Sequence, residues 1–70
     1  MEFYRTNTGS IIKHFAGHCL YVSEHGEIDN SGNLDIKGYQ AMWKLTPISR
    51  REFNDVFNKV MRDVNQFYQL

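Results

Sequence analysis

The stretch that decides the fold is the last third of the chain, SRREFNDVFNKVMRDVNQFY at residues 49–68. Its apolar residues recur at intervals of three and four, which places them on one face of a helix with 3.6 residues per turn. They are Phe53, Val56, Phe57, Val60, Met61, Val64, Phe67 and Tyr68. A helix with so wide an apolar face needs a sheet or other helices to cover it. The sequence therefore predicts a C-terminal helix over about residues 50–68.

The start of this helix is marked by a capping box, Ser49 followed by Glu52. In such a box the Ser hydroxyl accepts a hydrogen bond from the amide three residues later, which otherwise lacks a partner. Ile48 is placed to pack against Phe53 as a hydrophobic staple. The opposite face of the helix alternates Arg51, Asp55, Lys59 and Asp63, which is typical of a solvated surface.

The first two thirds of the chain favour strands, so the predicted fold class is α+β, with a small antiparallel sheet of three to four strands packed on the one C-terminal helix. Residues 10–15 and 19–22 are rich in β-branched and aromatic side chains, and residues 39–45 alternate apolar and polar. Residues 16–17 and 29–33 have the composition of turns, and we expect the second turn to close a hairpin. Residues 2–5 are predicted to add a short edge strand.

A helix-loop-helix fold is the alternative for residues 11–45. Apolar residues at 11–20 and at 39–43 also fit helical stripes, but Gly17 and Gly38 would then lie inside or close to the helices. The intervening segment, Glu27 to Gly38, resembles the twelve-residue calcium loop of EF-hand and dockerin proteins. It departs from that loop at position 1, where Glu27 replaces the usual Asp. It also departs at position 12, where Gly38 replaces a bidentate carboxylate. The sequence therefore predicts no calcium site and no other cofactor.

Four potential zinc ligands lie close together in the sequence: His14, His18, Cys19 and His25. On a strand His14 and His18 share a face while Cys19 points to the other, and no second pair such as C-x-x-C completes a tetrahedral set, so we expect no metal site. Catalysis by Cys19 would need a base, an orienting group and an oxyanion site within a pocket, which a domain of this size rarely encloses. The sequence also lacks the glycine-rich phosphate loops and the nucleophile elbow. We therefore expect no enzyme activity and no catalytic residue.

Length and charge set further bounds on function. Seventy residues form a single domain, 1–70, and eight basic against eight acidic residues give a formal net charge of zero. No bulk charge attracts the chain to nucleic acid or to anionic membranes. The longest apolar run, residues 19–22, is too short for a membrane span, and no secretory signal is visible at the first residues. A single cysteine suits a reducing compartment, so the sequence predicts a cytoplasmic protein.

Five Phe, four Tyr and one Trp exceed what one small core can hold. We expect Trp43, Phe53 and Phe57 to fill the space between helix and sheet. The predicted excess consists of Phe3, Tyr4, Tyr21, Tyr39, Phe67 and Tyr68. Because Tyr joins an apolar ring to a polar tip, the partner-binding residues are predicted to be Tyr21 and Tyr39, or Phe67 and Tyr68 through self-association as a homodimer.

The function that remains by elimination is a small, non-catalytic protein–protein interaction module. Its size is typical of a bacterial or phage accessory protein, such as an inhibitor or adaptor. It would bind through an exposed sheet face or edge, or through the aromatic end of the helix. The alternative is a nucleic-acid-binding sheet and helix, in which Lys13, Lys37 and Lys44 act with the aromatic residues. Acidic residues on the same predicted strands disfavour that alternative.

Overall fold

The computed structural model describes the backbone of residues 1–69 and the side chains of residues 1–68. The elements are β1 Glu2–Thr6, β2 Ile11–Phe15, β3 His18–Val22, β4 Ile28–Asp29, α1 Ile36–Met42, β5 Leu45–Pro47 and α2 Arg50–Gln69. The strands form one sheet in the order β4-β3-β2-β1-β5, and every neighbouring pair is antiparallel. The α+β prediction is confirmed, with five strands instead of three to four. Within the described residues, neither helix is long and apolar enough to cross a membrane.

The sheet is covered on both faces, because successive side chains of a strand point to opposite sides. Ile11 pairs with Val22 across the sheet, and the next residue along, Ile12, pairs with Tyr21. The face beneath α2 carries a core cluster of Phe3, Ile11, Val22, Phe53 and Val60. The opposite face carries a second cluster of Ile12, Cys19 and Tyr39, with Tyr39 supplied by α1. The single core predicted from the sequence is therefore two clusters, one on each side of the sheet.

Helix α2 begins as predicted. The Glu52 amide donates a hydrogen bond to Ser49 Oγ over 3.0 Å, and Ile48 packs against the cluster that contains Phe53. The apolar face of the helix then crosses the sheet. Its last aromatic residues, Phe67 and Tyr68, are exposed.

The predicted strand at residues 39–45 is wrong, because most of this segment belongs to α1 or to the turn that follows it. Asp35 caps the helix, and its Oδ1 accepts a hydrogen bond from the Gly38 amide over 2.9 Å. Leu34 and Tyr39 flank the cap in the second cluster, in the positions of a hydrophobic staple. The cap and the staple favour a helix more strongly than the apolar alternation favours a strand. Of the predicted strand, only Leu45 lies in a strand, as the first residue of β5. The predicted hairpin at residues 29–33 is therefore absent, and that turn leads from β4 to α1.

Three smaller predictions also need correction. Strand β1 is not an edge strand, since Arg5 pairs with Ile11 on one side and with Thr46 on the other. Phe3 is buried, and the centroid of its ring lies 5.1 Å from that of Phe53. Trp43 packs against the second cluster, on the side of the sheet opposite α2. The helix-loop-helix alternative fails at residues 11–22, which form a β-hairpin.

Candidate binding site

The β3–β4 loop, residues 23–27, is held in one conformation by Ser23. Ser23 Oγ accepts hydrogen bonds from the amides of His25 and Glu27, over 3.2 and 3.0 Å. The Ser23 amide donates to the Glu27 carbonyl over 2.8 Å, and the Gly26 amide donates to the Ser23 carbonyl over 3.1 Å. Since four hydrogen bonds converge on one residue, the loop presents Glu24 and Glu27 from a defined backbone.

Three grooves border this loop. The first, here named the α1 groove, has a volume of about 240 Å³ and is lined by Tyr21, Glu27, Ile28, Asp29, Leu34, Tyr39, Met42 and Trp43. The second, the hydroxyl groove, measures about 270 Å³ and is lined by Thr8, Ser10, Tyr21, Ser23, Glu24, His25, Glu27 and Trp43. The third, the helix-end groove, measures about 540 Å³ and is lined by Glu24, His25, Gly26, Glu27, Asp63, Val64, Phe67 and Tyr68. Glu27 lines all three, so the grooves adjoin one another.

A layer of three aromatic rings, Tyr21, Tyr39 and Trp43, lines the α1 groove, and Tyr21 and Trp43 also line the hydroxyl groove. The ring centroids of Tyr21 and Trp43 lie 5.4 Å apart, and those of Tyr21 and Tyr39 lie 5.8 Å apart. The planes are nearly parallel, at 18° and 10° respectively. Tyr39 is 3% exposed, and burial raises the pKa of its phenol. Tyr39 is therefore the support of this layer, whereas the half-buried Tyr21 and Trp43 line both grooves.

Carboxylates are the charged groups of these grooves. Asp29 Oδ1 accepts hydrogen bonds from the Ser31 hydroxyl and amide, over 2.6 and 2.9 Å, and these bonds hold the pKa of Asp29 below its usual value. The other carboxylates are Glu24, Glu27 and Asp63, and among the residues that the structure describes no Lys or Arg lines the three grooves. His25 also lines two of these grooves, and its Nε2 lies 3.5 Å from Glu24 Oε1. The described lining of the grooves is therefore more acidic than the chain as a whole, which has equal numbers of acidic and basic residues.

The helix-end groove adds two of the most exposed aromatic side chains. Phe67 is 72% exposed and Tyr68 is 80% exposed, and their rings meet edge to face at 5.6 Å between centroids. The acidic residues Glu24, Glu27 and Asp63 line the same groove. Exposed aromatic rings beside charged groups are typical of surfaces that contact other proteins.

The four partner-binding residues named from the sequence all line these grooves. Tyr21 and Tyr39 lie together as expected, but α1 brings them together instead of a hairpin, and Tyr39 is buried. Phe67 and Tyr68 lie in the helix-end groove, which shares Glu27 with the groove of the two tyrosines. Glu27 was not among the predicted binding residues, and Trp43 packs against the second cluster instead of lying between α2 and the sheet. The spacing Leu34, Asp35, Tyr39 and Trp43 was the available signal, because it matches a capped helix with an apolar face.

Of the residues weighed for catalysis and metal binding, His14 and Cys19 are paired across β2 and β3, but the thiol and the histidines are engaged separately. Cys19 is 1% exposed, and burial raises the pKa of its thiol, which leaves little reactive thiolate. His14 Nδ1 is 2.7 Å from Glu2 Oε1, whereas His18 Nε2 is 2.6 Å from Asn30 Oδ1. No group of three metal-ligating side chains occurs in the described part of the chain. The last residues of the calcium-like segment, Ile36 to Gly38, belong to α1 instead of a loop.

The surfaces of the sheet offer less to a partner than the grooves do. Both faces are covered by packed helices, and the edge strands are short, two residues in β4 and three in β5. β5 also ends at Pro47, which has no N–H to donate.

Comparisons with protein-family models, with curated proteins and with solved structures each returned no match. The geometry of the grooves is therefore the guide to function.

Proposed function

We propose that the protein is a small, non-catalytic interaction module that binds a basic segment of another protein around Glu27. The observation that carries this proposal is the lining of three adjoining grooves, which combine aromatic rings and carboxylates without a Lys or Arg. Lys and Arg side chains fit such a lining, because a cation is attracted both to an aromatic face and to a carboxylate. The proposed contact residues are Tyr21, Trp43, Glu24 and Glu27, with Tyr39 as support.

The helix end extends the same contact. Glu24 and Glu27 line both the helix-end groove, which contains Phe67 and Tyr68, and the hydroxyl groove, which contains Tyr21 and Trp43. A partner segment that crosses the β3–β4 loop would therefore cover both grooves. Covering these exposed rings removes apolar area from water, which stabilises a complex at roughly 25 cal/mol per Å². Self-association through Phe67 and Tyr68 is a different arrangement. Sedimentation of the isolated protein, alone and with both residues changed to Ser, distinguishes a homodimer from a monomeric module.

A protein partner suits this surface better than nucleic acid does. Phosphate groups would be repelled by the four carboxylates of the grooves, and the rings that could stack on bases lie beside those carboxylates. The further proposals are a cytoplasmic location and the role of an inhibitor or adaptor, of bacterial or phage origin. The single cysteine supports the location, and the adjoining acidic and aromatic grooves support the role of a binding protein.

The test compares labelled peptides of equal length and opposite charge. A basic, an acidic and a neutral peptide are titrated with the protein, and fluorescence anisotropy gives each affinity at low and at physiological salt. We expect the basic peptide to bind more tightly than the others by about tenfold or more, and to weaken as salt screens the charges.

Two variants locate the contact. Glu27→Gln removes the carboxylate common to all three grooves, whereas Asp55→Asn makes the same change of charge on α2, outside these grooves. We expect Glu27→Gln to weaken binding of the basic peptide by about fivefold or more, and Asp55→Asn by less than about twofold. Equal effects of the two variants, or equal affinity for the acidic peptide, would contradict the proposal.

A further inference from the structure

We infer that the α1 groove holds the side chain of an arginine from the basic segment, an inference that rests on the proposed function. Three features of the groove lead to it: its size, its apolar wall beside two carboxylates, and the parallel arrangement of its rings.

The size of the groove limits the occupant to one side chain. Its volume of about 240 Å³ lies below the roughly 300–1,000 Å³ of pockets that enclose drug-sized ligands. The wall of Ile28, Leu34 and Met42 provides apolar surface along which a methylene stem can pack. At the same groove, Glu27 and Asp29 provide carboxylates for a positively charged head. A long side chain with an apolar stem and a cationic end meets both requirements.

The orientation of Asp29 favours a charged group that forms directed hydrogen bonds. Ser31 donates two hydrogen bonds to Asp29 Oδ1, which fixes the plane of the carboxylate. These two bonds use both lone pairs of Oδ1, so a ligand meets Oδ2. A guanidinium offers several N–H donors in fixed directions, whereas an ammonium acts as a compact, strongly hydrated point charge. A fixed carboxylate beside the groove therefore discriminates in favour of arginine.

The rings point to the same choice. Tyr21, Tyr39 and Trp43 are nearly parallel, with interplanar angles of 10° to 22°. A planar guanidinium stacks on a flat aromatic surface of this kind. A methylated lysine is bound by an aromatic cage, which needs rings around the cation on several sides, and parallel rings do not provide such a cage. The arrangement thus favours unmodified arginine over both lysine and methylated lysine.

The test uses basic peptides that differ at one position, which is arginine, lysine, trimethyl-lysine or citrulline. Citrulline keeps the shape of arginine but removes its charge. Trp43 is the one Trp in the sequence, so its fluorescence emission reports on this groove without a label. We expect the arginine peptide to bind about tenfold more tightly than the lysine peptide, and to produce the largest change in Trp43 emission.

A matched pair of variants separates the α1 groove from the rest of the surface. Asp29→Asn changes a carboxylate of this groove, and Asp63→Asn changes one of the helix-end groove. Asn can still accept the hydrogen bonds from Ser31, so we expect the fold to persist. Asp29→Asn should lower the ratio of arginine to lysine affinity, because only the rings then favour arginine, whereas Asp63→Asn should leave that ratio unchanged.

The failure of this inference differs from a failure of the proposed function. Salt-dependent binding of all basic peptides with equal affinity for arginine and lysine would overturn the arginine inference alone. So would a preference for arginine that is undiminished in Asp29→Asn, or a preference for trimethyl-lysine. No binding of any basic peptide would overturn the proposed function and the inference together.

Discussion

Tyr21 of β3 and Tyr39 of α1 stack with their ring planes 10° apart, although the segment between them turns twice and passes through the β4 edge strand. This stacking joins α1 to the sheet. It also gives the two tyrosines different roles, because Tyr39 is 3% exposed whereas Tyr21 is half-buried and lines two grooves. A stability measurement can separate these roles.

Tyr39→Ala should lower the free energy of unfolding by about 3 kcal/mol, because it leaves a cavity under α1. Tyr21→Ala should cost less stability, about 1–2 kcal/mol, and should weaken the binding of a basic peptide. Tyr39→Phe is the control, since it retains the ring. Urea denaturation of the three variants checks this prediction. A loss of stability for Tyr21→Ala that equals or exceeds the loss for Tyr39→Ala would contradict it.

Gly26 and Gly17 form a matched pair for testing the approach of α2 to the β3–β4 loop. Both have a positive φ, 89° and 77°, which strains any other residue. A Cβ on Gly26 would overlap Val64 Cγ2 of α2, whereas a Cβ on Gly17 would meet no atom within 4 Å. We expect Gly17→Ala to cost about 1 kcal/mol and Gly26→Ala about 3 kcal/mol.

Val64→Ala provides the control for the second substitution. If the overlap is the cause, the combined Gly26→Ala and Val64→Ala variant should lose less stability than the sum of the two single changes. Equal losses for Gly26→Ala and Gly17→Ala would mean that backbone strain alone sets the cost.

Ala16, in the β2–β3 turn, has a left-handed backbone conformation that alanine rarely adopts. Ala16 has φ of 52° and precedes Gly17, the geometry of a turn in which Asn is preferred at the first position. Ala16→Asn should therefore raise the free energy of unfolding by about 0.5–1 kcal/mol. Ala41→Asn, at an exposed position of α1, should instead lower it slightly. An unchanged or lower midpoint of urea denaturation for Ala16→Asn would contradict the turn conformation described here.

The turn between β4 and α1 predicts a dependence on pH. Hydrogen bonds from Ser31 hold the pKa of Asp29 below its ordinary value of 3.8. Because the folded-state pKa is the lower one, the stabilisation is present above the pKa of the unfolded chain. It is lost as the pH falls through the pKa of the folded state. Ser31→Ala should raise the pKa of Asp29, which NMR titration of its carboxyl carbon measures. An equal titration midpoint for Asp29 in the wild-type protein and in Ser31→Ala would contradict the hydrogen bonds from Ser31.

The elements predicted from the sequence are those whose signals are local. Ser49 and Glu52 mark the start of α2, and Ala16 with Gly17 marks the β2–β3 turn. Helix α1 was predicted only in the helix-loop-helix alternative, whose second apolar stripe covers residues 39–43, because a seven-residue helix shows little periodicity and Gly38 argues against it. It is stabilised where Tyr39 packs on the sheet, a contact that only the tertiary fold provides.

The candidate site was predictable only in part, for the same reason. The excess of aromatic residues pointed to Tyr21 and Tyr39, but their contact arises through α1. Glu27 can be identified as a shared groove residue only in the folded chain, where residues of β3, α1 and α2 lie around the β3–β4 loop. A site that several elements assemble leaves no compact motif in the sequence.

The most direct test of the central claim is an NMR titration that maps where a basic peptide binds. Amide shifts are followed while an arginine-containing peptide is added to the labelled protein. We predict that the largest shifts fall on residues 27–29 and 34–43, together with the indole N–H of Trp43. Shifts confined to the solvent-facing side of α2, or saturable binding that leaves Glu27 and Trp43 unmoved, would contradict binding at these grooves.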